Sequence, residues 1–362
     1  MTAHLESLLA LADEHDASDI HIATGERPRL RILGNLVEIA DIKAFDAKTV
    51  DALAVELGLE TLPPGIHEGS ERIRTAIIRD GAIDGAVTSA SGSRFRFNIF
   101  REMGRNAIAL RRLDGTFKSF EELGLPSQIS SFCEGTGLFI VCGPTGSGKS
   151  TTLASMVDRI NRTRCGRIIT IEQPVEFIHR SRACLVSQRE VGRDVADFDT
   201  GLRDALRQDP DVILVGECRD LETARTALRA AETGHLVLTT LHSSSPPDAV
   251  ERLTAMFPPE EQSGARHQLA LALRAILAQR LLGSSRRFPA CELLVNTPAA
   301  ANLIATGRSA HLYSIIETGT SVGMRSLDQS IASLVAEAKI DLRTALAASR
   351  NPEGLRRRLA QN

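Results

Sequence analysis

Gly143-Pro144-Thr145-Gly146-Ser147-Gly148-Lys149-Ser150 fits the spacing G-x-x-x-x-G-K-[ST] without a gap. These residue types at these offsets suit one chemistry. Glycines allow successive backbone N–H groups to converge on an anion, a lysine adds a compact positive charge, and a following hydroxyl offers an oxygen to a divalent cation. The ligand implied is a nucleoside triphosphate such as ATP, with Lys149 at the β- and γ-phosphates and Ser150 on Mg²⁺. Such a loop acts as an anion site when a strand leads into it and a helix leaves it, because the positive end of the helix dipole then points at the same spot. Both elements are expected. Residues 138–142 form a short apolar run suited to a buried parallel strand, and a helix is expected over 151–161, opening with Thr151 beside the loop.

Hydrolysis also needs an oriented water and positive charge on the transition state. Val212-Ile213-Leu214-Val215-Gly216-Glu217 is an apolar strand pattern ending in an acid, so Glu217 should emerge at the sheet's carboxyl edge and either hold the water shell of the metal or polarise the attacking water. Ile169-Thr170-Ile171-Glu172 ends the same way, and Glu172 is the first choice for general base. Glu176, beyond a proline turn, reads as structural. The run from Gly234 to His242 is a strand pattern framed by two histidines. His242 should reach the carboxyl edge and sense the γ-phosphate, whereas His235 stands at the opposite end. Arg94, Arg96, Arg111 and Arg112 lie on alternating runs. They form either a solvated basic face or a set that reaches the phosphates of the same or a neighbouring subunit.

The elements that must position these groups fall into two blocks and a hinge. Residues 1–100 read as α+β: an amphipathic helix carrying Leu5, Leu8 and Leu9, then alternating strand runs at 19–22, 30–33, 36–39 and 93–100, with Gly34-Asn35 as a hairpin turn. Residues 101–126 read as a linker, although 107–113 also alternates. From 127 to 362 strand runs alternate with helices, which predicts a parallel α/β sheet. Beyond about residue 258 the pattern reads as mostly helical.

Bulk composition restricts the partners. The 362 residues carry a net charge of −2, with no Trp and one Tyr, so there is neither a global basic pull nor a supply of stacking rings for nucleic acid. Six cysteines lack C-x-x-C spacing, which argues against a zinc cluster. The start shows no signal pattern. The longest apolar stretch, 269–278, is interrupted by Arg274 and falls short of the roughly 20 residues that cross a bilayer. A cytoplasmic protein that docks on a membrane complex through protein contacts is the expectation.

Taken in order, these segments resemble the secretion and type IV pilus ATPase superfamily, most closely its PilT-type retraction branch. Ala17-Ser18-Asp19-Ile20-His21-Ile22 resembles the N-terminal signature, and Arg94-Phe95-Arg96-Phe97-Asn98 followed by Arg111-Arg112 resembles the arginine-bearing strands. Residues 143–151 match the Walker A segment, 169–177 resemble the Asp box, 209–220 the Walker B segment and 233–242 the His box. The resemblance implies a RecA-like P-loop ATPase core, a PAS-like N-terminal domain and C-terminal helices. It further implies a homo-hexameric ring binding ATP and Mg²⁺ that works on an inner-membrane pilus or secretion platform protein, with other pilus ATPases as possible companions. By motif match Glu172 is the catalytic glutamate, Glu217 the Walker B acid, His235 and His242 the His-box residues, and Arg94, Arg96 and Arg111 the phosphate-reaching arginines. Two departures stand out. Gln173 occupies the usual Asp of the Asp box, which removes a charge near the metal and implies slower hydrolysis. Ala299-Ala300-Ala301-Asn302-Leu303-Ile304-Ala305-Thr306 replaces a retraction-branch helix similar to Ala-Ile-Arg-Asn-Leu-Ile-Arg-Glu, without its arginines or final acid. These motivate an alternative, a weakly hydrolysing accessory ring subunit. A type IV secretion ATPase is a second alternative.

Overall fold

Alternation of buried and exposed side chains organises the first part of the chain. The computed structural model describes residues 3–62, 69–113, 115–283 and 286–360. Residues 1–2, 63–68, 114, 284–285 and 361–362, expected in the first block, the linker, the second block and the last helix, lie outside the described residues. The chain divides into two compact units. One comprises Met1–Thr116, Glu172–Ile178 and Arg189–Asp197, the other Phe117–Ile171, His179–Gln188 and Phe198–Asn362.

The first unit contains α1 (Ala3–Glu14), β1 (Asp19–Ala23), β2 (Arg29–Ile32), β3 (Asn35–Glu38), α2 (Ala47–Leu59), α3 (Gly69–Asp80), β4 (Ala82–Thr88), β5 (Arg94–Glu102) and β6 (Arg105–Leu113). Its sheet has the order β3-β2-β1-β6-β5-β4, with every pairing antiparallel. Along β5, Phe95, Phe97 and Ile99 are buried while Arg94, Arg96 and Asn98 take the other face. The buried set joins Leu5, Leu8 and Leu9 of α1, Leu53 and Leu57 of α2, and Ile73 and Ile77 of α3 in one core. Asp46 caps α2 by accepting from the Thr49 N–H at 2.8 Å. The linker expected over 101–126 is corrected here. Residues 105–113 are β6, hydrogen-bonded to β1 on one side and β5 on the other, so this stretch lies in the interior of a sheet. Its period-2 pattern was the signal that a flexible hinge would not need.

The second unit contains α4 (Ile129–Phe132), β7 (Gly137–Cys142), α5 (Lys149–Thr163), β8 (Arg167–Glu172), β9 (Leu185–Glu190), α6 (Phe198–Ala205), β10 (Val212–Val215), α7 (Leu221–Glu232), β11 (Leu236–Leu241), α8 (Pro246–Ala255), α9 (Gln262–Ala272), β12 (Leu273–Leu282), β13 (Phe288–Val295), α10 (Pro298–Ala305), α11 (Leu312–Thr318), α12 (Leu327–Ala336), α13 (Leu342–Ala348) and α14 (Pro352–Leu359). The last residues of β8 and β9 group with the first unit. The sheet order is β13-β12-β7-β11-β10-β8-β9. Strands β7, β11, β10 and β8 run parallel, and all six residues of β7 and of β11 are buried, as strands covered on both faces should be. β12 runs parallel to β7, and β13 returns antiparallel to β12.

The helical expectation beyond residue 258 is corrected by β12 and β13. Leu273–Leu282 reads LRAILAQRLL, a set of good helix formers, but pairing with the buried β7 outweighs local propensity. Beyond these strands the chain is helical. Leu327, Ile331 and Leu334 of α12 pack with Ala345, Leu355 and Ala290 in a separate small core.

Candidate nucleotide site

The loop after β7 takes its shape from three left-handed glycines. Gly143, Gly146 and Gly148 have φ of 153°, 76° and 88°. At Gly143 a Cβ would lie 2.3 Å from the Gln279 carbonyl oxygen and 2.6 Å from Ser147 Oγ, so a larger residue cannot pass. At Gly146 a Cβ would meet nothing within 4 Å, which leaves the left-handed turn as the reason for glycine. Gly148 is the N-cap of α5, and no side chain caps the helix. Its first N–H groups therefore remain available to an anion.

Lys149 is 9% exposed, and its Nζ donates to the carbonyl oxygens of Gly143 at 3.0 Å and Pro144 at 3.1 Å. The ammonium is thus held against the loop it would serve. Ser147 Oγ is buried with no hydrogen-bond partner among the described residues. Pro144, Thr145, Gly146 and Ser150 are exposed, and Thr151 is half-buried. An uncapped helix start, an orphaned buried hydroxyl and a cation aimed into the loop fit a phosphate group.

Parallel register carries the other residues to the same edge. Leu241 pairs with Cys142, and Val215 pairs with both Thr239 and Ile171, so the carboxyl ends of β7, β11, β10 and β8 line up. Glu217 follows β10, His242 follows β11, and Glu172 is the last residue of β8. Thr240 Oγ1 donates to the Gly216 carbonyl at 2.7 Å and fixes the turn that presents Glu217. The Glu217 carboxylate pairs with Arg219 and lies 3.8 Å from His242 Nε2. Arg252 of α8 donates to the His242 carbonyl at 3.1 Å. Partial burial, then the Lys149 charge, lower the His242 pKa, with Arg252 and Arg219 adding to the effect and Glu217 opposing it. The imidazole is therefore neutral at neutral pH, able to donate from one nitrogen and accept at the other. A serine hydroxyl and a glutamate carboxylate, Ser150 and Glu217, are the hard oxygen donors that suit Mg²⁺.

His235 does not join them. It precedes β11 at the opposite edge, where its carbonyl accepts from the Gly137 N–H at 2.9 Å and its Nδ1 lies 2.9 Å from the Ala230 carbonyl. β11, roughly 20 Å long at 3.3 Å per residue, lies between His235 and the edge that carries the loop.

The arginines differ among themselves. Arg111 donates to Asp19 at 2.9 Å but keeps 72% of its side chain exposed. Arg96 sits 3.8 Å from both Asp84 and Glu176, and is 44% exposed. Arg96 and Arg111 are directly opposed across β5 and β6. Arg94 is 15% exposed, and Nε, Nη1 and Nη2 each face a partner: the Val175 carbonyl at 2.7 Å, Thr88 Oγ1 at 3.0 Å and Glu190 at 3.6 Å. Its guanidinium is engaged inside the first unit.

Gln279 was not anticipated. On β12, 3% exposed, it accepts from Thr152 Oγ1 at 2.9 Å and donates from Nε2 to the Ser147 carbonyl at 2.8 Å. It braces the loop from the neighbouring strand. The only sequence signal was a lone amide inside an apolar run.

The fold and this edge define a RecA-like ATPase core with an additional N-terminal domain and C-terminal helices. The family model for type II/IV secretion system proteins matches residues 2–311, and the chain belongs to that family. It is 39% identical to the type IV pilus retraction ATPase PilT of Pseudomonas aeruginosa, over 96% of this chain and 99% of that protein. It is 41% identical to the uncharacterized protein YggR of Escherichia coli K12, over 93% of this chain and 100% of that protein. The crystal structure of the pilus retraction motor PilT with bound ADP superimposes with a TM-score of 0.86 at 39% identity, covering 98% of this chain and 99% of that one.

Proposed function

We propose that this chain is a P-loop motor ATPase of a type IV pilus or a related secretion machine. It works as a homo-hexameric ring on the cytoplasmic face of the inner membrane, against a platform protein there. The observation that carries the reading is the alignment at one sheet edge of the phosphate loop, Glu217 and His242, in a chain that matches a pilus retraction ATPase along almost its whole length.

Within this reading the loop N–H groups and the start of α5 bind the phosphates. Lys149 exchanges its two carbonyl partners for phosphate oxygens. Glu172 accepts the proton of the attacking water, and neutral His242 reports on the γ-phosphate while hydrogen-bonded to it. Arg96 and Arg111 supply the remaining positive charge. Mg²⁺, where held by Ser150 and through water by Glu217, would neutralise charge on the β- and γ-phosphates.

The test is Lys149→Ala in the full chain. Removing the only ammonium of the loop should abolish phosphate release, a loss of at least about 100-fold, while melting stays near wild type. Near-normal turnover by that variant defeats the reading.

A further inference from the structure

We infer that Glu190 and Arg94 are positioning residues for hydrolysis: together they clamp the peptide of Val175 and so set where Glu172 stands. The inference rests on the reading of Glu172 as general base; it adds Glu190, which carries no motif role, and gives Arg94 a positioning role.

The geometry lies within the first unit, to which Glu172–Ile178 and Arg189–Asp197 both belong. Val175 is 5% exposed. Its N–H donates to Glu190 Oε2 at 3.0 Å, and its carbonyl accepts from Arg94 Nε at 2.7 Å. Arg94 Nη2 stands 3.6 Å from the same Glu190 oxygen. One carboxylate and one guanidinium thus hold both polar groups of a single residue and face each other. The other end of the segment is tied as well, because the Val191 N–H donates to the Glu172 carbonyl at 2.8 Å. Adjacent residues, Glu190 and Val191, therefore pin the stretch from Glu172 to Val175 at both ends.

The clamp is itself anchored. The Glu190 N–H donates to Asp194 Oδ2 at 2.8 Å, and the Asp194 N–H donates back to the Glu190 carbonyl at 2.8 Å. Thr88 holds Arg94 Nη1 at 3.0 Å. Burial pushes the Glu190 carboxyl up from its usual range, against the Val175 N–H, Arg94 and Arg193. Burial likewise lowers Arg94, against Glu190 and then Glu172, whose charge is felt at this guanidinium. Two desolvated charges are costly to keep unless geometry is good and hydrogen bonds complete it. Here those bonds fall on the backbone that presents the general base. An error of about 1 Å in such a base costs on the order of 100-fold in rate.

The experiment compares steady-state hydrolysis and binding of a fluorescent ATP analogue with Mg²⁺ for the full-length wild type and variants at Glu190, Arg94 and Glu172. Glu190→Ala and Arg94→Ala should lower kcat by about 10- to 100-fold, while KM and analogue affinity stay within about twofold. Glu190→Gln keeps an acceptor for the Val175 N–H and should recover most of the rate. Wild-type kcat in Glu190→Ala overturns the clamp. So does a Gln variant no better than Ala, or an Arg94→Ala variant whose main defect is weakened analogue binding. If the alanine variants do not fold, Glu190→Asp against Glu190→Gln decides: the shortened carboxylate should lose rate and the amide should keep it, and the reverse order overturns the proposal. Glu172→Gln separates the two levels. An inactive Glu172→Gln beside unaffected Glu190 variants removes the clamp alone, whereas a fully active Glu172→Gln removes the general-base reading and the clamp's catalytic role with it.

Discussion

Lys149, Ser147 and Gln279 describe the nucleotide loop as three different kinds of residue. The lysine supplies charge, the serine hydroxyl has no partner among the described residues, and the glutamine bonds both to the loop and to the helix behind it. Gln279 makes two buried hydrogen bonds, each worth about 1 kcal/mol net. Gln279→Ala should therefore weaken ATP binding by up to about 30-fold, measured by titration of the fluorescent analogue. Thr152→Val should add less to that defect than it costs alone, because both changes remove the same bond. Full additivity would mean that Gln279 acts on the loop by another route. At this scale two motif readings separate. His242 and His235 are alike as residue types, yet one follows β11 and the other precedes it.

The elements show where local pattern suffices and where pairing decides. β7, β10 and β11 were readable because strands covered on both faces must be short apolar runs. β12 was not, because Leu, Ala, Arg and Gln favour helix until a partner strand makes the bonds. β13 also anchors the C-terminal helices. Glu292, with its side chain 3% exposed, receives Arg350 Nη1 and Nη2 at 2.9 Å each, and Arg350 lies 4.2 Å from the Tyr313 ring centroid. Glu292→Ala leaves that guanidinium without its counter-charge. It should cost about 3 kcal/mol by urea unfolding, with nucleotide affinity unchanged. A loss below about 0.5 kcal/mol would show that the pair behaves as a surface bridge.

For the whole molecule the question is how subunits depend on one another. The proposed ring predicts that wild-type and Lys149→Ala chains, unfolded and refolded together in equal amounts, hydrolyse ATP at well below half the wild-type rate. Independent subunits would give one half. Among the described residues no helix is long and apolar enough to cross a membrane. A vesicle-flotation assay with and without the proposed platform protein tests whether membrane attachment needs that partner. Grouping of Glu172–Ile178 with Met1–Thr116 could not be foreseen from residues so far apart in the chain.

By itself the chain of residues set out the loop pattern and the acids and histidines expected to accompany it. Strand, loop and helix there are contiguous, and conformational demands on neighbouring residues appear directly as residue types. Tertiary structure decided that Arg94 faces Val175, that Gln279 bonds to the loop and that Glu190 holds the Val175 N–H. Those outcomes depend on strand direction and on contacts between residues 81 to 132 positions apart for Arg94 and Gln279. Side-chain chemistry names the candidates for such contacts, and only the packing of strands against one another selects among them.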